Sequence, residues 1–219
     1  MSASVDDVAF VVETVARTAV ENEGYFGDLD AVVGDGDFGY SMARGFEVVL
    51  ESFGDIDRSS VGSLLKAVAM MITGRMGGTS GPIWGTAFLR AAVVTGGKTT
   101  LEPVDVVAML RAAIEGIKQR GKAELGDKTL LDALEPAVDK LEEVLSAGGA
   151  SLQALQAAAA VAESSAEKTR EMLAKKGRAS YSGERSVGTL DAGAVAVALM
   201  FNQIASKWGS RALGSQPPG

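Results

Sequence analysis

The chain has 219 residues, 47% hydrophobic and 22% charged, a balance that suits one well-buried domain and excludes a disordered one. A net charge of −7 argues against a nucleic-acid surface, which needs clustered cations. With no cysteine and no histidine there are no disulfides, no thiolate or imidazole metal sites and no histidine base, so any bound metal takes oxygen ligands: Mg2+, Mn2+ or Ca2+.

Met1 to Asp7 lacks a basic stretch followed by an apolar one, so no secretory signal is expected. No apolar run reaches the roughly 18 residues that span a bilayer. The richest, Ala192 to Ile204, contains Asn202 and Gln203. A cytoplasmic location away from membranes is the expectation. Aromatics are only 5% of the chain, while Ala, Val, Leu and Gly abound, which favours closely approaching helices over a β-sandwich.

The first predicted helix, Val5 to Asn22, carries Val8, Val11, Val12, Val15 and Ala19 at three- and four-residue spacing. An acidic loop follows, with Asp28, Asp30, Asp35 and Asp37 among Gly34, Gly36 and Gly39. It matches the Gly-x-Gly-x-x-Gly dinucleotide pattern formally, but no full strand precedes it, and Asp35 and Asp37 would repel a bare pyrophosphate. It fails the EF-hand pattern because Tyr40 and Phe46 stand where Gly and Glu belong. What remains is a compact set of hard oxygen ligands, whose mutual repulsion raises their pKa values unless a cation neutralises them. A solvated acidic turn with Asp37 as helix cap is the alternative.

A second helix is predicted from Tyr40 to Ser52, burying Met42, Phe46, Val49 and Leu50, and a third from Ser60 to Met76. Between that helix and the next, Pro82 to Thr95, lies Gly77-Gly78-Thr79-Ser80-Gly81. Free amides, two hydroxyls and a positive helix end are the parts of a phosphate cradle, although a helix turn uses glycine too. Helices at Pro103–Gln119 and Thr129–Ser146 come next, the second ended by Gly148-Gly149. Two apparent P-loops between and before them fail: Ala123 replaces the Ser/Thr after Gly121-Lys122, and Ala92 stands where the first Gly of a Gly97-Lys98-Thr99 version belongs. A helix from Leu152 to Lys176 leads into a basic loop through Arg178 and Arg185, either of which could meet a phosphoryl group. By itself that loop reads as one completing the preceding helix dipole. The last helix, Thr189 to Trp208, precedes a tail at 209–219 expected to be flexible. Val32-Val33 and Val93-Val94 are too short to anchor a sheet. The expectation is therefore one all-α domain over residues 1–208 with about eight helices.

Taken together the loops resemble the nucleotide-binding L subunit of dihydroxyacetone kinase (DhaL) and the equivalent domain of single-chain dihydroxyacetone kinases. The resemblance spans nearly the whole chain. It is carried in order by Gly34-Asp35-Gly36-Asp37, Gly77 to Pro82, Arg120 to Ala123 with Gly126 to Thr129, and Gly177 to Tyr181 with Gly183 to Ser186. It implies a barrel of eight up-and-down antiparallel helices with ADP or ATP at one end. It also implies two Mg2+ ions on Asp30, Asp35 and Asp37, with Arg178 reaching a phosphate. Phe38, Gly39, Tyr40, Ser41, Gly78, Thr79 and Ser80 would line the phosphate site. Gly121 and Leu130 would border the adenine, and Asp191, Ala192 and Gly193 would close its pocket.

In that family the acceptor sugar is held by a histidine on a separate K subunit, which a chain without histidine cannot supply. A K-subunit partner is thus implied, docking over the acidic end, and in one branch a phosphotransferase-system phosphocarrier recharges bound ADP. A homodimer is compatible with the sequence. Phe38 and Thr189 stand where the family usually has histidine, Ser41 where Asn is common and Ala192 where Pro is common, which leaves the choice of ketose and the partner contact open. A nucleotide-binding regulatory module that has lost phosphoryl transfer is the alternative function.

Overall fold

The computed structural model describes residues 2–214, with side chains as far as Arg211, and it is an all-α domain. Nine α-helices are present among the described residues: α1 (Val5–Glu21), α2 (Glu23–Ala31), α3 (Phe38–Glu51), α4 (Val61–Arg75), α5 (Ser80–Thr95), α6 (Pro103–Gly121), α7 (Leu131–Ser146), α8 (Ser151–Lys168) and α9 (Ala192–Gly214). Eight of them form a closed ring in which each helix packs on its sequence neighbour, α3 takes up α1, and α9 returns to α1. Short connections make successive ring helices antiparallel, so this is the eight-helix barrel that the family resemblance implies. The extra helix, α2, packs on α3 and α9 at one end.

The helices begin where local chemistry favours it. Ser4 caps α1, its hydroxyl accepting from the Asp7 amide at 3.2 Å, while the Asp7 carboxylate accepts from the Ser4 amide at 2.8 Å. Pro103 opens α6, where a missing N–H costs nothing. Small side chains let the axes approach: Ala133 and Ala137 on α7, Ala158, Ala159 and Ala162 on α8, and Ala194 and Ala196 on α9 are all buried. Larger ones fill the opposite side, where fully buried Phe46 meets the rings of Trp84 and Phe88 at 6.2 and 6.3 Å. Phe46→Ala would cost about 3–5 kcal/mol, the transfer term plus the cavity.

Four departures from the predicted elements matter. Helix α2 occupies a stretch where the sequence shows no helical period, because it contains Gly24 and Gly27 and buries only Phe26. Helix α8 stops at Lys168, well before Lys176. The chain then runs irregularly, with short 3-10 turns at Thr169–Glu171 and Arg178–Ser186. Val93 and Val94 belong to α5, as the helix predicted over Pro82–Thr95 has them. Two-residue strands do occur elsewhere, β1 (Ala3–Ser4) pairing antiparallel with β2 (Thr100–Leu101). Helix α9 continues past the predicted end at Trp208 to Gly214, with an edge contact of Trp208 with Phe10 at 6.1 Å and with Arg211 2.9 Å from Asp7. The rest of the predicted tail, 215–219, lies outside the described residues. No described helix is long and apolar enough to cross a membrane.

Alternation around the ring has one consequence for function. The connections α2–α3, α4–α5, α6–α7 and α8–α9 all emerge at the same end, and so do the N-termini of α3, α5, α7 and α9. Four positive dipole ends therefore face one region.

Candidate functional site

Those four connections line a cleft of about 1010 Å³. Its acidic wall is built by the turn after α2. The Val33 and Gly34 amides bond the Asp30 carbonyl at 3.2 and 2.6 Å, folding the chain back over the Asp30 side chain. A Cβ on Gly34 would lie 2.3 Å from Asp30 Oδ1, so only glycine fits there. The Phe38 amide, opening α3, reaches Asp30 Oδ2 at 3.4 Å. This local fold brings Asp30, Asp35 and Asp37 together, one carboxylate oxygen from each lying within 4.8 Å of the other two.

At that spacing each pair of charges repels by about 1 kcal/mol in water and by about 3 kcal/mol at an effective dielectric of 20. Arg178 offsets part of this, with Nη1 2.8 Å from Asp35 Oδ2. The guanidinium is mostly exposed, and such a pair is worth at most about 1 kcal/mol. The residue of the repulsion shows at Asp37. Lost hydration, then the charges of Asp35 and Asp30, push its carboxyl above the ordinary value, with Arg178 pulling the other way. Three hard oxygen donors with unbalanced negative charge fit a small divalent cation such as Mg2+.

The second wall is the start of α5. Gly78 turns with φ +62, and Thr79 precedes the helix without using its hydroxyl as a cap. Its hydroxyl and that of Ser80 therefore remain available, together with the Ser80 amide, whereas the Gly81 amide bonds the Gly77 carbonyl at 3.4 Å and Pro82 has no N–H. The third wall is apolar, with Ile83, Ile117, Gly121, Ala123, Leu130 and Leu190. A flat aromatic base suits such a surface.

The fourth wall is the long segment between α8 and α9. Its tip crosses the cleft mouth, with Arg178 on Asp35 and the Ser182 hydroxyl donating to the Val33 carbonyl at 2.9 Å. Lys128 holds its stem: Nζ donates to the carbonyls of Met172 (3.2 Å), Ser186 and Thr189 (2.8 Å) and to Thr189 Oγ1 (3.3 Å). Burial lowers the Lys128 pKa, and the nearby Asp191 charge opposes that shift. Asp191 Oδ2 accepts from the Ala194 amide at 2.7 Å, capping α9. Desolvation, joined by the Asp132 and Asp30 charges, pushes its carboxyl up to about 7 against the pull of that amide and of Lys128.

Most predicted site positions meet in this cleft: Asp30, Asp35, Asp37, Phe38, Gly78, Thr79, Ser80, Gly121, Leu130, Arg178, Asp191, Ala192 and Gly193. Gly39, Tyr40 and Ser41 do not line it. Gly39 is pressed against α2, where a Cβ would lie 2.0 Å from the Glu23 carbonyl. Tyr40 is 60% exposed with its ring under the Arg44 guanidinium, 5.2 Å away, and Ser41 is buried beneath Gly77. Packing of the unforeseen α2 turns that part of α3 away. Sequence reasoning gave no separate role to Lys128, to Asp132, which accepts from the Thr129 amide at 2.7 Å, or to Lys175 and Lys176, both near Asp127. The available signal was the Gly126-Asp127-Lys128-Thr129 run, in which a left-handed Lys128 (φ +61) departs from what non-glycine residues prefer.

A closed ring of antiparallel helices that directs four helix N-termini and a carboxylate cluster into one end cleft defines the class: an all-α domain with a cation- and anion-compatible mouth. Residues 32–206 match the family model described as the DAK2 domain, and the chain belongs to that family. It is 41% identical over 181 residues, 83% of this chain and 86% of the relative, to the protein called PEP-dependent dihydroxyacetone kinase, ADP-binding subunit DhaL, of Escherichia coli K12. It is 34% identical to the L-erythrulose 1-kinase of Mycolicibacterium smegmatis over 200 residues, 90% of this chain but 35% of that protein. Among solved structures it superposes on the dihydroxyacetone kinase of C. freundii in complex with AMP-PNP and Mg2+, with a TM-score of 0.73 and 28% identity. The match covers 91% of this chain and 33% of the C. freundii chain, so this protein spans about a third of that one.

Proposed function

We propose that this chain binds an adenine nucleotide with magnesium in the end cleft and serves as the donor half of a kinase acting on a small ketose such as dihydroxyacetone or erythrulose. The observation that carries the reading is the meeting of Asp30, Asp35 and Asp37 within 4.8 Å at the mouth into which four helix N-termini point. The names and contents of the relatives support it: an ADP-binding subunit, erythrulose kinases, and a solved kinase holding AMP-PNP and Mg2+.

In this reading Asp30, Asp35 and Asp37 would hold two Mg2+ ions, which would supply the positive charge that neutralises the nucleotide phosphates. Gly78, Thr79 and Ser80 donate backbone and hydroxyl hydrogens to the terminal phosphates. Arg178 turns from Asp35 to the phosphoryl oxygens as charge develops on them. Leu130, Gly121 and the stretch Asp191-Ala192-Gly193 enclose the base on the apolar side of the cleft. The acceptor arrives on a partner K-type subunit, because no histidine of this chain is available to hold a ketose.

Native mass spectrometry of the purified chain, with and without chelator, tests the first half. Retained ADP or ATP together with magnesium is expected, and absence of nucleotide affinity at every magnesium level would remove the proposal. Mixing the chain with a K-type subunit and following phosphate transfer to dihydroxyacetone and to erythrulose tests the second half. Transfer that depends on ATP separates direct donation from recharging of bound ADP by a phosphocarrier. Nucleotide binding without transfer to any ketose would instead support a regulatory module.

A further inference from the structure

The long segment between α8 and α9 leaves the barrel at Met172 and returns at Thr189, and its tip carries Arg178. Both ends of it converge on one atom. Lys128 Nζ lies within hydrogen-bond distance of Met172 O at one end and of Ser186 O, Thr189 O and Thr189 Oγ1 at the other. Lys128 is 2% exposed, and every acceptor around its ammonium is a neutral oxygen of this one segment. A buried cation is expensive to desolvate, and a φ of +61 is unfavourable for a residue with a Cβ. Both penalties are accepted at the same residue, which itself lines the cleft. The stem is also joined by the Ala174 amide to Ser186 Oγ at 3.0 Å, by the Gly188 amide to the Arg170 carbonyl at 2.7 Å, by the exposed Arg170 guanidinium to the Gly188 carbonyl at 3.2 Å and by the Asp191 amide to Thr169 Oγ1 at 3.0 Å, but none of these groups reaches more than one residue of the opposite side.

We infer that Lys128 is a positioning residue that closes the stem of this segment as a clasp and thereby sets Arg178 over the phosphate end of the cleft. The inference rests on the nucleotide-binding reading above. A flexible loop of this length has its ends apart most of the time, and one buried three-donor ammonium gathers Met172, Ser186 and Thr189 from both ends, more residues of the stem than any of its other bonds joins. The tip then needs only its bonds to Asp35 and Val33 to lie across the mouth. Lys128 also begins the turn that presents Thr129 and Leu130, so the same residue ties the base side of the cleft to the phosphate side.

The test uses the full chain and the variants Lys128→Met, Arg178→Gln and the two combined, with Mg2+ and ADP as probes. Lys128→Met keeps length and apolar bulk and removes all three donors. Amide hydrogen exchange is expected to rise sharply over 172–189 in Lys128→Met while the barrel helices keep the parent's protection. ADP affinity measured by calorimetry is expected to fall about tenfold, as when a charge-assisted hydrogen bond is lost. Combining the two changes should weaken binding little more than Arg178→Gln alone, because a clasp acts through the arginine it places. Additive losses, or unchanged exchange over 172–189, would overturn the inference. Should Lys128→Met fail to fold, Lys128→Gln, which keeps two donors but neither the charge nor the reach of the ammonium, carries the same prediction in both readouts at smaller amplitude. If the parent chain binds no ADP, the nucleotide reading falls, while the exchange measurement still decides whether Lys128 closes the stem.

Discussion

The two loops that face each other across the cleft mouth are built on opposite plans. The acidic turn after α2 assembles Asp30, Asp35 and Asp37 from a few consecutive residues, and its shape is set by bonds to the Asp30 carbonyl three and four positions back. The basic segment before α9 is shaped by partners 44, 58 and 61 positions away on Lys128, and by Val33, 149 positions away. A locally built site survives loosening of the barrel, whereas a remotely braced one depends on the barrel for its geometry. The acidic side should therefore respond to substitution by changing chemistry, and the basic side by changing order.

Asp35→Asn is the strongest way to break the contrast. It keeps the shape but removes a charge facing both neighbours, so magnesium-dependent ADP affinity is expected to drop by about a hundredfold, in line with loss of a metal-facing group. Thermal stability should hold or rise slightly, because two repulsive pairs vanish and only an exposed pair with Arg178 is lost. Calorimetry alongside a melting curve checks both. A large fall in melting temperature would mean the acidic turn also relies on remote bracing.

Gly34→Ala should come next. Its new Cβ would stand 2.3 Å from Asp30 Oδ1, so either the carboxylate swings out or the turn opens. Affinity is expected to fall about tenfold for about 1–2 kcal/mol of stability, the usual scale of local overpacking. Titration of magnesium at fixed ADP would show the loss as a weaker metal dependence.

A third test concerns Asp191 at the foot of the basic segment. Its carboxyl holds its proton up to about 7 in the fold, against an ordinary value of 3.8 in the unfolded chain. Between those values the folded state binds the extra proton, so this group makes stability fall as pH rises through the window and level off above it. Asp191→Asn keeps an acceptor for the Ala194 amide and removes that slope. The melting temperature of the variant relative to the parent should therefore climb in the variant's favour from about pH 4 to about pH 7. A pH-independent difference would show that the carboxyl is not held protonated by its surroundings.

Ser182→Ala should have the smallest effect. It deletes one bond, 2.9 Å long, between the tip of the basic segment and the acidic turn. A loss of about 0.5–1.5 kcal/mol of local closure, and so a several-fold weaker affinity at most, is expected. Hydrogen exchange should rise near 182 and stay unchanged at the stem held by Lys128.

What was legible in the sequence follows the same division. The absence of histidine and cysteine, the spacing of three aspartates and the Gly-Gly-Thr-Ser-Gly run pointed to oxygen-held cation and phosphate chemistry, because these depend on residue type and short separation. Helical stripes such as Val8, Val12 and Ala19 foretold the helices, because burial of one face repeats every three or four residues, while their closure into a barrel was implied by the family resemblance. Helix α2 escaped because one buried phenylalanine among glycines makes no stripe, and with it went the reason that Gly39, Tyr40 and Ser41 turn from the cleft. The early end of α8 also escaped, since Ala174 is buried by the irregular segment as a helix would bury it.

The sequence by itself therefore determined the class of fold and the donor atoms of the acidic wall. Tertiary structure alone decided which loops share an end, that Lys128 spends its charge on a distant stem, and that Arg178 meets Asp35 across the mouth. Short-range contacts are written in local order along the chain, whereas a buried ammonium finds its carbonyls only once the antiparallel ring has closed and brought residues 128, 172 and 189 together.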